Sequence, residues 1–179
     1  MEPIKLNLNE YLELKAMVNA IAKGTRESLQ KIFYNTNEKH FAATDGHILR
    51  LKNLQNYFPV FEKENEQIKN NFLIDNNQLL NTKSMFISMY GIDGRIKVQI
   101  EPENSFKYPD YLGIIANKKV VMVEHIIITL DLLNRFSKTE ISGCKIFKFQ
   151  FTGENSPILV YKYDSPSLEG IIMPYTSEV

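Results

Sequence analysis

An α+β fold, built from a recurring unit of one helix packed on several antiparallel strands, is what this sequence predicts. Three observations lead there. A short apolar run meets a helix-capping residue three times along the chain. Strand-like runs rich in β-branched and aromatic residues follow each of these junctions, and turn residues separate the runs.

The first junction is Ile4-Lys5-Leu6-Asn7, with Glu10 three residues later and Tyr11-Leu12 after it. This is capping-box spacing: the Asn7 side chain can accept from the third helical N–H while Glu10 reaches back to the cap. On the helix that follows, Tyr11, Leu14, Val18 and Ile21 make an apolar stripe. Lys15, Asn19 and Lys23 fall at i, i+4 and i+8 on the polar side, and Arg26 lies just beyond the expected helix end. Strands are expected over Lys31 to Tyr34 and His40 to Ala43. Asp45-Gly46 then reads as a hairpin turn, since Gly46 reaches φ > 0 at no steric cost, and the chain leaves as a strand through Ile48-Leu49. The polar, mixed-charge stretch from Glu62 to Asn71 reads as a linker or long loop.

The second junction is Phe72-Leu73-Ile74-Asp75, where Gln78 takes the place of Glu10 and Leu79-Leu80 follow. Met85 to Met89 and Arg95 to Ile100 are the strands expected after it, with Gly91-Ile92-Asp93-Gly94 as the turn between them. A soft boundary lies at Ala116-Asn117-Lys118-Lys119. The third junction, Ile126-Ile127-Ile128-Thr129 followed by Asp131, Leu132 and Leu133, lacks the Glu or Gln partner. Lys145 to Phe151 and Ile158 to Tyr163 complete the strand set. In the first of these, alternation puts Phe147, Phe149 and Phe151 on one face and Ile146, Lys148 and Gln150 on the other, as in a sheet covered on one side.

Bulk properties exclude several function classes. With 179 residues and 44% hydrophobic content the chain can bury a real core. Its 21 basic and 21 acidic residues give zero formal net charge, so contact with nucleic acid must come from a local arrangement of charge and not from global attraction. The single cysteine, Cys144, forms no internal disulfide and reads as a small core or sheet residue; with no apolar signal run after Met1, a cytoplasmic protein is expected. The longest apolar run, Ile126 to Ile128, falls far short of the ~20 residues of a membrane span, so no membrane partner is expected. Asp45, His47, His40 and His125 have neither HxH nor HExxH spacing, and no P-loop, GxSxG or GxGxxG occurs. No catalytic residue, metal or cofactor is therefore expected.

Three fragments carry a family resemblance. Ala43-Thr44-Asp45-Gly46-His47-Ile48-Leu49-Arg50 resembles the ATDGHRL-type signature of the bacterial DNA polymerase III beta subunit, the sliding clamp. Tyr108-Pro109-Asp110-Tyr111 resembles that family's FPDY turn, and Ile171-Ile172-Met173-Pro174-Tyr175 its C-terminal VVMPM strand, in the family's own order. In that family a domain is two helix-plus-strands units, and six domains close a ring around duplex DNA. Residues 1–115 resemble the family's middle domain and 116–179 the second half of its last, unless the chain is one compact domain. A ring would then need four chains if all three units are real, or six if the middle one only elaborates a two-unit domain.

The resemblance implies a replication processivity factor: a homo-oligomer that encircles duplex DNA without reading sequence and does no chemistry. Lys15, Asn19, Lys23 and Arg26 are then the DNA-facing residues. Thr44, Gly46, His47, Leu49, Ile171, Met173 and Pro174 are implied to line a groove that takes polymerase or clamp-loader peptides. Departures point to an altered peptide preference: Ile48 stands for the usual Arg, Tyr175 for Met and Thr176 for Arg, and the Pro usual after the Pro-Asp-Tyr turn is missing from Leu112 to Ala116. The alternative is a clamp-fold interaction module, a phage or mobile-element competitor for clamp partners, that never encircles DNA.

Overall fold

The computed structural model describes residues 2–21, 27–80, 95–103, 108–116, 118–141 and 146–175. Lys23, Arg26, the strand expected at Met85 to Met89, the Gly91 to Gly94 turn, Cys144 and Thr176 lie outside them.

Each junction folds as a cap, with decreasing completeness. Strand β1 (Ile4–Leu6) leads into helix α1 (Leu8–Met17), and the capping box at Asn7 and Glu10 is closed in both directions, at 2.9 and 3.0 Å. A 3₁₀ turn, Val18–Ala20, follows α1, and Ile21 is already extended. The described helix thus ends within the span expected to carry the Lys15, Asn19 and Lys23 stripe: Val18 and Asn19, both poor helix formers, stand where the turn tightens.

Strands β2 (Lys31–Asn35), β3 (His40–Thr44) and β4 (Ile48–Asn53) form a meander, followed by short helices α2 (Leu54–Tyr57) and α3 (Phe61–Glu64). The stretch expected as a linker is therefore partly helical and fastened down. Buried Asn65 accepts from the Lys5 N–H at 2.7 Å and donates to the Lys5 and Phe61 carbonyls at 2.8 and 2.9 Å. An amide side chain that closes three backbone bonds outweighs the local polarity on which a loop reading rests.

Strand β5 (Phe72–Asp75) opens the second unit and pairs antiparallel with β2. Helix α4 (Asn76–Leu80) is short; Asp75 accepts from the Asn77 N–H at 2.8 Å, while Gln78 accepts from the Gln99 N–H at 3.0 Å instead of reaching back to the cap. Strands β6 (Ile96–Val98) and β7 (Glu101–Pro102) pair with β1 and β5 respectively. Helix α5 (Tyr111–Ile115) is capped by Asp110, which accepts from the Gly113 N–H at 3.0 Å. Helix α6 (Leu130–Lys138) opens the third unit from Thr129, which makes no side-chain cap bond, in keeping with the missing Glu or Gln. Strands β8 (Phe147–Gln150), β9 (Ile158–Lys162) and β10 (Leu168–Ile172) follow.

Among the described residues one eight-stranded sheet runs in the order β7-β5-β2-β3-β4-β10-β9-β8, and β1 and β6 form a separate pair. The two halves of the chain share that sheet through β4 and β10, where Arg50 faces Gly170 and Leu49 faces Ile171. Alternation sorts side chains onto two faces. Ile32, Tyr34, Phe41, Ala43 and Ile48 pack under α1, α4 and α6 with Tyr11, Leu14, Leu79 and Phe136. Phe33, Ala42, Leu49 and Leu51 point the other way, against Tyr108 and Tyr111.

A buried charge cluster locks the third unit to the first. Arg50, fully buried on β4, donates to Glu140 at 2.6 Å, to Glu169 at 2.8 Å and to the Tyr57 hydroxyl at 3.0 Å. The Tyr57 hydroxyl in turn donates to Glu169 at 2.6 Å, and Phe136 lies under the guanidinium. Beside it, buried Lys52 is paired with Glu13 of α1, and burial pulls its pKa down to about 8, opposed by the Glu13 carboxylate.

Candidate peptide-binding groove

The Ala43 to Arg50 signature folds as expected into a hairpin, with its turn held by its own side chains. Asp45 accepts from the His47 and Ile48 N–H groups at 2.8 and 2.9 Å, and Gly46 sits at φ +93°. Thr44 donates from Oγ1 to the Ile48 carbonyl at 2.7 Å and accepts from the Gly46 N–H at 3.0 Å. The second Asp45 oxygen receives Arg135 of α6 at 2.5 Å. Burial pushes the Asp45 pKa up, but the two backbone donors and Arg135 outweigh it and hold the carboxyl below its ordinary value. Asp45 is thus a structural turn residue, tied to the third unit.

Past β10 the Met173 N–H donates to the His47 carbonyl at 2.8 Å, which sets the C-terminal strand against the hairpin turn. Opposite stands the Tyr108 to Ile115 segment, seated on the sheet by Tyr108, which stacks on Phe33 at 4.8 Å and donates to the Ala42 carbonyl at 3.2 Å. Tyr111 is fixed through its hydroxyl, which receives Asn35 Nδ2 at 3.1 Å and lies 2.7 Å from His40 Nε2. Burial raises the Tyr111 pKa to about 12 and lowers that of His40, so at neutral pH both are uncharged partners.

Between these two walls lies a cavity of about 200 Å³. Thr44, Gly46, His47, Leu49, Ile171 and Met173, six of the seven residues the sequence singled out for a groove, line it. Pro174 does not: it is buried, on the parity of Ile172, which faces the helix side of the sheet, whereas Ile171 and Met173 face the groove. Sequence reasoning missed Leu29, Ile48, Pro109, Tyr111 and Ile114 as lining residues. The Tyr108 to Tyr111 motif was the available signal, read as a turn although it also forms a wall. The result is a mostly apolar slot with a flexible thioether at one end and Ile114, 44% exposed, on the rim.

The residues expected to face DNA are not gathered in this way. Lys15 lies half-buried on α1, and exposed Asn19 donates its amide to the Ala16 and Lys138 carbonyls at 2.9 and 3.2 Å, joining the ends of α1 and α6. Lys23 and Arg26 lie outside the described residues.

The sequence matches no family model and no curated protein. Solved structures do match. The Caulobacter crescentus beta sliding clamp superposes with a TM-score of 0.58 at 13% identity, over 99% of this chain and 66% of that one. The chain has the sliding-clamp fold. The Bacillus subtilis DNA polymerase sliding clamp gives a TM-score of 0.58 at 15% identity over 99% of this chain and 65% of the clamp. The Helicobacter pylori beta clamp, solved bound to a DNA ligase peptide, gives 0.55 at 12% identity over 98% and 66%. This clamp-fold chain thus spans about two thirds of the length of the clamps it matches. Among its described residues, no helix is long and apolar enough to cross a membrane.

Proposed function

We propose that this protein is a sliding-clamp-like processivity factor, which encircles duplex DNA as a homo-oligomer and docks polymerase or clamp-loader peptides in the groove between the Gly46 hairpin and Tyr111. The observation that carries it is the convergence of three separated motifs on one apolar cavity in a chain with this fold. An apolar slot suits a short peptide whose aliphatic or aromatic anchors enter it. The protein contributes binding and topology and no bond-making step, and its zero net charge favours an encircling ring that moves along the duplex over a tight electrostatic binder.

The second reading, a clamp-fold module that competes for clamp partners without encircling DNA, is favoured by Asn19, whose amide donors are committed to two helix ends. Both readings need the groove. Placing a carboxylate at the cavity wall with Met173→Asp is expected to weaken a fluorescent clamp-binding peptide by about tenfold to a hundredfold, the cost of desolvating a charge against an apolar anchor. Unchanged peptide affinity in that variant would move the docking site elsewhere.

A further inference from the structure

The strand that opens each unit has a defined place in the first two. Opening strand β5 of the second unit lies antiparallel on β2, the first strand after the helix of the first unit. Opening strand β1 of the first unit lies in turn on β6 of the second. The two units therefore exchange opening strands. In the third unit β8 holds the place of β2, and residues 118–129 hold the place of β1 and β5. Among the described residues β8 ends the sheet with no strand on its outer edge, and residues 118–129 run without strand pairing.

That opening segment is Val120-Val121-Met122-Val123-Glu124-His125-Ile126-Ile127-Ile128, a run of high β propensity. Two of its backbone groups are engaged: the Val121 N–H donates to the Phe151 carbonyl at 3.0 Å, and the Ile127 carbonyl accepts from Tyr175 at 2.8 Å. Part of it is left in solvent, with Val120 62% and Met122 fully exposed, while Ile126 and Ile128 pack against the core. Phe149 on β8 is 37% exposed and neighbouring Ile146 53%. Apolar strand surface and an open strand edge on the same unit form a sticky pair that a folded chain must cover.

We propose that a second copy of this chain covers it: the opening segment of each copy adds to the β8 edge of the other, about a two-fold axis. The chemistry fits a self-partner. Ile126 and Ile128 face the same apolar layer as Phe147 and Phe151, so the added strand continues the core instead of burying polar groups. Glu124 is the carboxylate of the segment and Lys148 the cation of β8, while Lys118 and Lys119 stand at the segment's start, before its apolar run. One such seam is small, but two related by symmetry engage residues 118–129 and 146–151 of each copy, close to the ~20–30 residues per side of a stable interface. The exchange supplies the missing partner of the third unit and makes six units from two chains, half of a twelve-unit ring. This deepens the ring reading proposed above by naming the surface on which copies meet; it does not depend on the groove or on DNA.

Sedimentation equilibrium over a concentration series tests it, on the full chain and on two variants. Met122→Pro blocks the segment as a strand at a side chain that touches solvent, and Phe149→Asp charges the β8 edge. The wild type is expected as a dimer or a multiple of it and each variant alone as a monomer, with circular dichroism matching wild type. An equimolar mixture is expected to associate more strongly than either variant alone and more weakly than wild type, because the intact segment of Phe149→Asp meets the intact edge of Met122→Pro and restores one of the two seams. A monomeric wild type, variants that keep the wild-type mass, or a mixture that at the highest concentrations associates no more than either variant alone, as pairing of segment with segment would give, overturns the exchange. A dimer that goes no further supports the exchange and sinks the closed ring; a monomer that still binds the peptide sinks the exchange and leaves the interaction module standing.

Discussion

Arg50, the last residue of the hairpin signature, is fully buried between Glu140, Glu169 and Tyr57, and its two carboxylate partners come from the third unit. Removing the cation leaves two carboxylates in an apolar setting. Arg50→Met is therefore expected to cost ~3–5 kcal/mol, read as a lower urea midpoint at neutral pH. A midpoint equal to that of the wild type would show that the side chain acts by packing over Phe136, which methionine keeps, and not by charge. The groove residues were legible because turn chemistry and motif agreed at Thr44, Gly46 and His47; Tyr111 was not, since its orientation is set by Asn35 and His40, distant in sequence.

Elements were legible where local chemistry decides them. The first cap is the clearest case, because Asn7 and Glu10 satisfy each other within one turn whatever surrounds them. The end of α1 and the fastening of Asn65 were not, since both depend on what packs against them. The seam between β4 and β10 is a tertiary decision of the same kind. A Cβ added at Gly170 would fall 2.0 Å from the Leu49 carbonyl oxygen and 2.7 Å from Phe136, so glycine permits the two strands and α6 to close together. Gly170→Ala is expected to destabilise by ~1–3 kcal/mol and to raise amide exchange in β10 ahead of β2 and β3. Unchanged exchange along β10 would show that the seam tolerates the methyl by sliding.

At the scale of the whole molecule, the question is what three units can enclose. Four chains of three units each would make a twelve-unit ring, and α1 supplies part of its inner face if Lys15 meets phosphate. Charge reversal by Lys15→Glu is expected to shorten retention on closed circular DNA and to reduce its salt dependence, since fewer counterions are released. Retention equal to wild type would remove α1 from the DNA surface.

The unit is set by local chemistry: capping spacings, alternation and the Asp45-Gly46 turn are interactions between near neighbours, written in residue types and distances along the chain. The sequence also marked three fragments of the groove. Tertiary structure alone decided that the fragments converge, that Pro174 turns away while Pro109 and Tyr111 turn in, and that Arg50 pins the third unit to the first. These outcomes depend on which strands pair. Pairing is settled by burial of whole faces and by partners many residues apart, as in the union of Arg50 on β4 with Glu140 and Glu169, and no local pattern encodes it.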